Sequence, residues 1–185
     1  MIKYKNITKK YPNGKMAVKD INLEFNRGEF VCFIGTSGSG KTTLMRMLNR
    51  MLEPTSGELT IDGKNIKDFN EVELRRKIGY VIQQIGLMPH MTIYENITMV
   101  PRLLKWPENK MKEKAVKLIK MVDLPESFLN RYPSELSGGQ QQRIGVIRAL
   151  AADQDIVLMD EPFGALDSIT KASIQDWFLK VRKKT

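Results

Sequence analysis

The sequence predicts an α/β fold with a parallel sheet, an N-terminal antiparallel β layer and an inserted α-helical subdomain. Three observations predict it. Short alternating segments fill the first 30 residues, continuous apolar runs recur at 30–34, 78–82 and 156–159, and helical periodicity broken by prolines occupies 91–150. Alternation favours half-buried strands, whereas short continuous runs are typical of strands buried on both faces of a parallel sheet.

The first segments predict antiparallel strand pairs. Apolar residues alternate weakly over 2–7 and cleanly over 21–25, and the turn signal Pro12-Asn13-Gly14 lies between them. A further pair of strands is predicted on either side of Asp62-Gly63, with Ile66 in the second strand.

The run FVCFI at 30–34 predicts the first strand of the parallel sheet. It lies between Gly28 and Gly35, and we expect both of its faces to be buried, with Cys32 as an inert core thiol. A helix is predicted after Gly35. Its expected apolar face consists of Leu44, Leu48, Met51 and Leu52.

Further buried strands are predicted at 78–82 and 156–159, separated by the helical insertion. One face of a helix in the insertion collects Met111, Ala115, Leu118, Ile119 and Val122. After the last strand a helix is predicted with the apolar stripe Ile174, Trp177, Phe178 and Val181.

The composition narrows the class of protein. The 185 residues include 30 Lys and Arg, 21 Asp and Glu, one Cys and one His, with a net charge of +9. A single Cys argues against an intramolecular disulfide, no apolar stretch approaches the roughly 20 residues that cross a bilayer, and the N-terminus lacks the apolar region of a secretory signal. The excess charge lies in separate blocks without the interleaved aromatics of a base-stacking surface. We expect a cytoplasmic protein that does not bind nucleic acid; attraction to an anionic membrane surface stays open.

Residues 35–42, GTSGSGKT, match the phosphate-loop pattern G-x-x-x-x-G-K-[ST], with a predicted strand before it and a predicted helix after it. The glycines let the backbone curl so that N–H groups point inward, and the helix N-terminus adds its positive dipole end. We expect Lys41 to bind the β- and γ-phosphates, Thr42 to ligate Mg²⁺ and Thr43 to reach the α-phosphate. The other expected phosphate contacts are Gly35, Ser37, Gly38, Ser39 and Gly40.

An acidic pair, Asp160 and Glu161, follows the apolar run at 156–159. Open α/β sheets bind ligands at the carboxyl ends of their strands, where this pair is expected. We expect Asp160 to hold Mg²⁺ through its water shell and Glu161 to accept a proton from the water that attacks the γ-phosphate.

The segment 136–140, LSGGQ, predicts a second anion site at the start of a helix. Ser137 can cap the helix and donate its hydroxyl, and Gly138 and Gly139 let a phosphate approach bare backbone N–H groups, with Gln140 beside them. One γ-phosphate does not need two complete cradles from one chain. The second cradle is therefore expected to serve a nucleotide bound by another copy.

These motifs, in this order, resemble those of the ATP-binding-cassette (ABC) ATPases, whose signature motif is the segment 136–140 as it stands. The resemblance covers essentially the whole chain and implies a P-loop NTPase fold with a RecA-like parallel sheet core. It implies that Tyr11 stacks on adenine, that Gln83 of the Q-loop contacts Mg²⁺ and the attacking water, and that Asp167 belongs to the D-loop. Two alternatives stay open: Tyr11 is an ordinary aromatic residue at the end of a strand, or Gln84 rather than Gln83 is the glutamine of the Q-loop.

By the same resemblance, two copies sandwich two ATP molecules, each between the phosphate loop of one copy and Ser137 and Gly139 of the other. The Q-loop touches a transmembrane permease, which places the subunit at the cytoplasmic face of the cell membrane and makes an extracellular substrate-binding protein an indirect partner. One ABC ATPase domain is expected over 1–185, incomplete at its C-terminus. Its expected parts are an antiparallel β layer at 1–30 and 56–70, a nucleotide-binding core at 31–55, 71–85 and 152–185, and a helical signature subdomain at 86–151.

A narrower resemblance concerns the cargo. Segments 48–57, 79–93 and 161–167 are similar to the branch that powers import of quaternary amines such as glycine betaine, carnitine and choline.

The family's switch histidine follows the helix after the D-loop, whereas His90 lies in a different loop, so a C-terminally truncated chain that hydrolyses ATP poorly is expected. Two alternative functions stay open: an ATP-binding dimerisation module without turnover, and an importer ATPase for another small solute. A cassette that acts on nucleic acid is disfavoured because the chain carries neither a second cassette nor a long coiled coil.

Overall fold

The computed structural model describes residues 1–82 and 86–162. It divides the chain into two compact units, Met1–Arg75 and Arg76–Thr185, which we call the first and second units. Several predicted features lie outside the described residues: the C-terminal helix at 174–181, Gln83, Gln84 and Asp167.

The first unit contains a four-stranded antiparallel sheet. Its strands are β1 (Ile2–Lys10), β2 (Met16–Phe25), β3 (Ser56–Ile61) and β4 (Lys64–Asn65), in the spatial order β2-β1-β3-β4. The pairing of β1 with β2 confirms the predicted hairpin. The second predicted strand pair is also present, but β4 is short because Ile66 begins a 3-10 helix, Ile66–Asp68, whose Lys67 N–H donates to the Asn65 side chain.

Helix α1 (Lys41–Leu48) begins directly after the Gly-rich segment. Its residues Leu44, Met47 and Leu48 are buried, and the buried hydroxyl of Tyr4 donates to the Leu44 carbonyl over 3.1 Å. The predicted helix is longer than the observed one, which ends at Leu48 instead of continuing through Met51 and Leu52. Arg50 has φ of +53° just beyond the helix end, so Met51 does not continue the apolar face and is 56% exposed.

The prediction of a buried strand at 30–34 is wrong for this structure. The structure assigns neither helix nor strand to 29–36, and Ile34 is 93% exposed. A strand needs a neighbouring strand to pair with its N–H and C=O groups. Among the described residues the ladders join β1 with β2 and β3, β3 with β4, and β5 with β6. Cys32 is accordingly exposed and is not the core thiol that was expected.

Helix α2 (Glu71–Lys77) leads into the strands of the second unit, β5 (Ile78–Val81) and β6 (Ile156–Met159). These two strands are parallel, with Ile78 opposite Ile156 and Val81 opposite Met159. This pairing confirms both strands and their parallel order. Because parallel strands place their carboxyl ends at one edge, the segment after Val81 begins beside the acidic pair after Met159.

The inserted segment is helical, as predicted. It contains α3 (Ile93–Leu103), α4 (Glu108–Met121) and α5 (Gly138–Arg148), with short 3-10 helices at Glu126–Asn130 and Pro133–Glu135. Four of the five residues of the predicted apolar face, from Ala115 onward, are buried in one core with side chains of α3 and α5. The buried members of that face are Met111, Ala115, Leu118, Ile119 and Val122.

The end of α5 packs closely on β5. A Cβ placed on Gly79 would lie 2.0 Å from the carbonyl oxygen of Ala149, the C-cap residue that directly follows α5. Only glycine allows this approach, since real Cβ atoms do not come so near a backbone atom. The packing fixes the C-terminal end of α5 against the strand pair.

Candidate functional site

The predicted phosphate loop curls around its own lysine. The Lys41 ammonium donates to the carbonyl oxygens of Gly35 at 2.8 Å and Thr36 at 3.0 Å, and to the Ser39 hydroxyl at 3.4 Å. Lys41 is also the first residue of α1, so its charge lies at the positive end of the helix dipole. A cation and a helix N-terminus in one short loop form a site suited to an anion.

Two glycines give the loop its shape. Gly38 and Gly40 have φ of +81° and +95°, in the left-handed region where glycine has no steric cost. Gly40 is also buried at the start of α1, where a Cβ would lie 2.5 Å from Cγ1 of Val18 and 2.8 Å from the Ala17 carbonyl. The loop is therefore seated directly on β2.

We expect Gly40→Ala to destabilise the first unit by about 2 to 4 kcal/mol, because a left-handed residue and a steric overlap add together. Urea unfolding followed by circular dichroism measures the change. Gly38→Ala is the matched control, since its φ is also positive but its Cβ meets nothing within 4 Å. It should cost only about 1 kcal/mol. Equal losses in the two variants would contradict the close packing of Gly40 on β2.

Tyr11 lies beside the start of α1. Its hydroxyl is 3.5 Å from Oγ1 of Thr43, which is buried, and its backbone N–H donates to the Lys15 carbonyl at the hairpin turn. The structure thus brings Tyr11 and Thr43 together in one unit. Lys9 was not singled out from the sequence, yet its ammonium lies 5.8 Å from the centroid of the Tyr11 ring. Lys9 and Tyr11 are two positions apart at the end of β1, a spacing that places side chains on one face of a strand, so the sequence could have indicated this proximity.

The acidic pair lies at the carboxyl end of β6, as predicted. Asp160 is buried, its N–H donates to the Val81 carbonyl over 2.9 Å, and the Tyr80 hydroxyl donates to its Oδ2 over 3.4 Å. Glu161 is exposed and has φ of +46°, unusual for a residue with a side chain. Asp160 is thus buried, whereas the next residue, Glu161, is exposed to solvent.

Ser137 caps α5, as its position in the sequence predicts. Its hydroxyl oxygen accepts from the Gln140 N–H at 3.4 Å, and the Ser137 N–H donates to Oε1 of Gln140 at 2.9 Å. This reciprocal pair is a capping box. Ser137 and Gly138 are exposed, and a Cβ on Gly138 would meet nothing within 4 Å. The start of α5 therefore offers open backbone and a positive dipole end to an approaching anion.

Comparison with known proteins identifies the family. The family model described as ABC transporter matches residues 18–164. The chain belongs to this family. Among curated relatives, the carnitine transport ATP-binding protein OpuCA of Listeria monocytogenes is 63% identical over 184 residues, covering 100% of this chain and 46% of the relative. The choline transport ATP-binding protein OpuBA of Bacillus subtilis is 61% identical over 183 residues, covering 99% of this chain and 48% of the relative. The chain spans about half the length of these relatives.

Solved ABC cassettes have the same fold. A dimeric post-hydrolysis state of an ATP-binding cassette bound to ADP and Pi is 40% identical, with a TM-score of 0.84, covering 100% of this chain and 84% of that one. The Clostridium perfringens protein cbiO1, part of the ABC transporter complex cbiONQ, is 27% identical with a TM-score of 0.87, covering 99% of this chain and 74% of that one. The α/β cassette fold predicted from the sequence is therefore confirmed.

In this ABC family member, a buried asparagine orders the segment 88–92. Asn96 of α3 is fully buried; its Oδ1 accepts from the Met88 N–H at 2.8 Å. Its Nδ2 donates to the carbonyls of Met88, Met91 and Thr92 at 3.0 to 3.1 Å. Next to it, hydrogen bonds from the Thr92 backbone and hydroxyl hold the pKa of Glu95 below its usual value. Sequence reasoning missed Asn96, because a polar residue on a helix gives no sign of burial.

The donor set of the ABC motifs suits magnesium. Thr42 offers a hydroxyl and Asp160 a carboxylate, and hard oxygen donors of this kind are Mg²⁺ ligands. Over residues 1–82 and 86–162 no cluster of three or more His, Cys, Asp or Glu side chains is placed to hold a metal. Mg²⁺ usually takes only one or two protein carboxylates and completes its shell with water and substrate phosphates. Taken one by one, the Thr42 hydroxyl in the first unit and the Asp160 carboxylate in the second unit are therefore donors of the kind that Mg²⁺ accepts.

Proposed function

We propose that this chain is the ATP-binding and ATP-hydrolysing part of an ABC importer that takes up a quaternary ammonium osmoprotectant such as glycine betaine, carnitine or choline. The observation that carries the proposal is the pair of anion sites in one chain, the Lys41 loop and the open start of α5. The identity of 61 to 63% to carnitine and choline transport ATP-binding proteins supports the cargo class.

The phosphate loop binds the phosphates of ATP in this proposal. The Lys41 ammonium turns from the loop carbonyls to the β- and γ-phosphate oxygens, which are stronger acceptors because they are charged. Thr43 reaches the α-phosphate and Tyr11 stacks on adenine. The backbone contacts come from Gly35, Ser37, Gly38, Ser39, Gly40 and Thr42.

Hydrolysis uses the acidic pair. A water oxygen forms a bond to the γ-phosphorus, the bond from that phosphorus to the bridging oxygen of ADP breaks, and the Glu161 carboxylate accepts the proton of the water. Mg²⁺, when bound, neutralises developing charge on the phosphates. Thr42, Asp160 and Gln83 are the side chains we propose to hold it.

Two copies of the chain share each ATP. Ser137, Gly138, Gly139 and Gln140 of one copy contact the γ-phosphate held by the Lys41 loop of the other, with Asp167 at the same interface. Support comes from the exposure of Ser137 and Gly138 and from the dimeric form of a related cassette. This arrangement explains why one chain carries two anion sites.

We propose a transmembrane permease as the second partner, reached through the Q-loop, with a substrate-binding protein outside the cell as an indirect partner. The chain then works at the cytoplasmic face of the membrane. Among the described residues no helix combines the length and apolarity needed to cross a bilayer. The proposed division is the one expected from the sequence: a β layer, a nucleotide-binding core and a helical signature subdomain.

The test of the cargo uses a hybrid subunit, in which residues 1–185 of this chain replace the matching part of OpuCA from Listeria monocytogenes. In Listeria cells that lack their own OpuCA, the hybrid should restore carnitine uptake at high osmolarity, because the identity extends across the whole chain. Uptake of radiolabelled carnitine is measured beside the same hybrid with Lys41→Ala, which should give none. A hybrid that is expressed and hydrolyses ATP but supports no uptake would contradict the cargo and permease assignment.

A further inference from the structure

A buried glutamine joins the second anion site to the acidic pair within one chain. Gln142 lies in the second turn of α5, five residues after Ser137, and is only 2% exposed. Its Nε2 donates a hydrogen bond to the carbonyl of Pro162, which directly follows Glu161. The sequence gives no sign of this link, because the two residues are 20 positions apart.

The link holds a strained stretch of backbone. Glu161 has φ of +46°, and an ordinary residue adopts this conformation at a cost of about 1 to 2 kcal/mol. Such a conformation persists where its surroundings fix it from both sides. On one side the Asp160 N–H is bonded to the Val81 carbonyl, and on the other the Pro162 carbonyl is bonded to Gln142. The residues on both sides of Glu161 are therefore hydrogen-bonded, and Gln142 supplies one of the two bonds.

The rest of α5 connects this link with the packed end of the helix. The far end of the helix is fixed where Ala149 packs on Gly79, and the helix body lies in the core with Val81 and Met159. Gln142 lies between this fixed end and Ser137. Gln142 therefore bonds the Pro162 carbonyl from the part of α5 that connects the first turn with the packed end.

We propose that Gln142 is a positioning residue that sets the orientation of Glu161 and couples it to occupation of the Ser137 site. The proposal rests on the proposed function. In the ATP sandwich, Ser137 of a copy contacts the nucleotide of its partner, whereas Glu161 acts on the nucleotide of its own copy. Gln142 is then the connection through which one ATP site signals to the other.

The test replaces the amide without changing the length of the side chain. Gln142→Met removes the donor, and Gln142→Glu replaces it with an acceptor that faces the Pro162 carbonyl. In the hybrid subunit, kcat for ATP hydrolysis should fall about 10- to 100-fold in both variants, since a small misplacement of a reacting group has effects of this size. The Kd for ATP should stay within about threefold, because neither variant changes the Lys41 loop, and the Hill coefficient for ATP should fall toward one.

Hydrogen exchange on the 185-residue chain separates positioning from general loss of stability. In Gln142→Met, exchange should rise in the peptide spanning 156–162 and stay unchanged in α4. The control is Gln141→Leu. Gln141 donates to the carbonyls of Pro133 and Leu136 instead, at 2.9 and 3.0 Å, so its loss should leave exchange over 156–162 unchanged.

Two results would overturn this inference: an unchanged kcat in Gln142→Met, or a fall in kcat accompanied by faster exchange throughout the second unit. The outcome is distinguishable from failure of the proposed function. If Glu161→Gln abolishes turnover in the hybrid while Gln142→Met hydrolyses ATP normally, only the inference about Gln142 fails. If Glu161→Gln and Lys41→Ala both retain turnover, the proposed function itself fails.

Discussion

Replacing Lys41 with alanine should weaken ATP binding by at least about 100-fold. The ammonium is the full positive charge that the loop itself supplies, and a hydrogen bond to a charged group contributes about 1.5 to 3 kcal/mol. Two such bonds, to the β- and γ-phosphates, exceed the 2.8 kcal/mol or so that corresponds to 100-fold in Kd. Titration calorimetry of the 185-residue chain with ATP in magnesium buffer measures the effect.

Lys67→Ala is the control for loss of charge. Lys67 is an exposed lysine of the same unit, in the short 3-10 helix after β4, and its removal should change the Kd for ATP by less than about twofold. AMP provides a second comparison, because it lacks the two phosphates that Lys41 contacts and should lose little affinity in Lys41→Ala. Tight ATP binding by Lys41→Ala would contradict the assignment of the phosphate loop.

Local patterns predicted the elements whose stability depends on near neighbours in sequence. The capping box of α5 needs only Ser137 and Gln140, three residues apart, and it is present. The apolar face of α4 follows from helical spacing and is buried as predicted. The parallel pair β5 and β6 is an exception, because Ile78 lies opposite the distant Ile156; it was predictable because short apolar runs alternate with helical segments, a pattern that favours a parallel sheet.

Features that depend on particular hydrogen-bond partners were not predictable. The run at 30–34 has the composition of a buried strand, but burial needs a partner strand, and composition does not supply one. Gln142 and Asn96 are polar residues on helices, where a pattern of polar and apolar positions places them outside, and both are buried with backbone carbonyls as partners. Each of these errors arises where a hydrogen-bond partner, rather than hydrophobicity, decides the position of a residue.

In the candidate site, too, some features could be predicted from the sequence and others could not. The residue types of the phosphate loop and the acidic pair are readable in sequence, because the chemistry of phosphate binding needs them at fixed spacing. The backbone conformations of these residues cannot be read from the sequence. The left-handed Glu161 and the seating of Gly40 on β2 depend on tertiary contacts that only the fold provides.

Replacing Glu161 with glutamine should stop hydrolysis while ATP remains bound. The amide has nearly the shape of the carboxylate but does not accept the proton of the attacking water, and loss of a general base lowers kcat by about 100-fold or more. The Lys41 loop is unchanged, so the Kd for ATP should stay within about threefold. With hydrolysis blocked, the hybrid subunit should accumulate as an ATP-bound dimer, because each ATP is bound by both copies.

Light scattering with and without ATP measures the dimer, and phosphate release measures turnover. Glu113→Gln is the matched control, since it removes an exposed carboxylate from α4 of the same unit with the same change in charge. It should hydrolyse ATP normally and show no stable dimer. A Glu161→Gln subunit that binds ATP but stays monomeric would contradict the shared site, whereas one that still hydrolyses ATP would contradict the role of Glu161. The two parts of the proposal therefore stand or fall on separate measurements of a single variant.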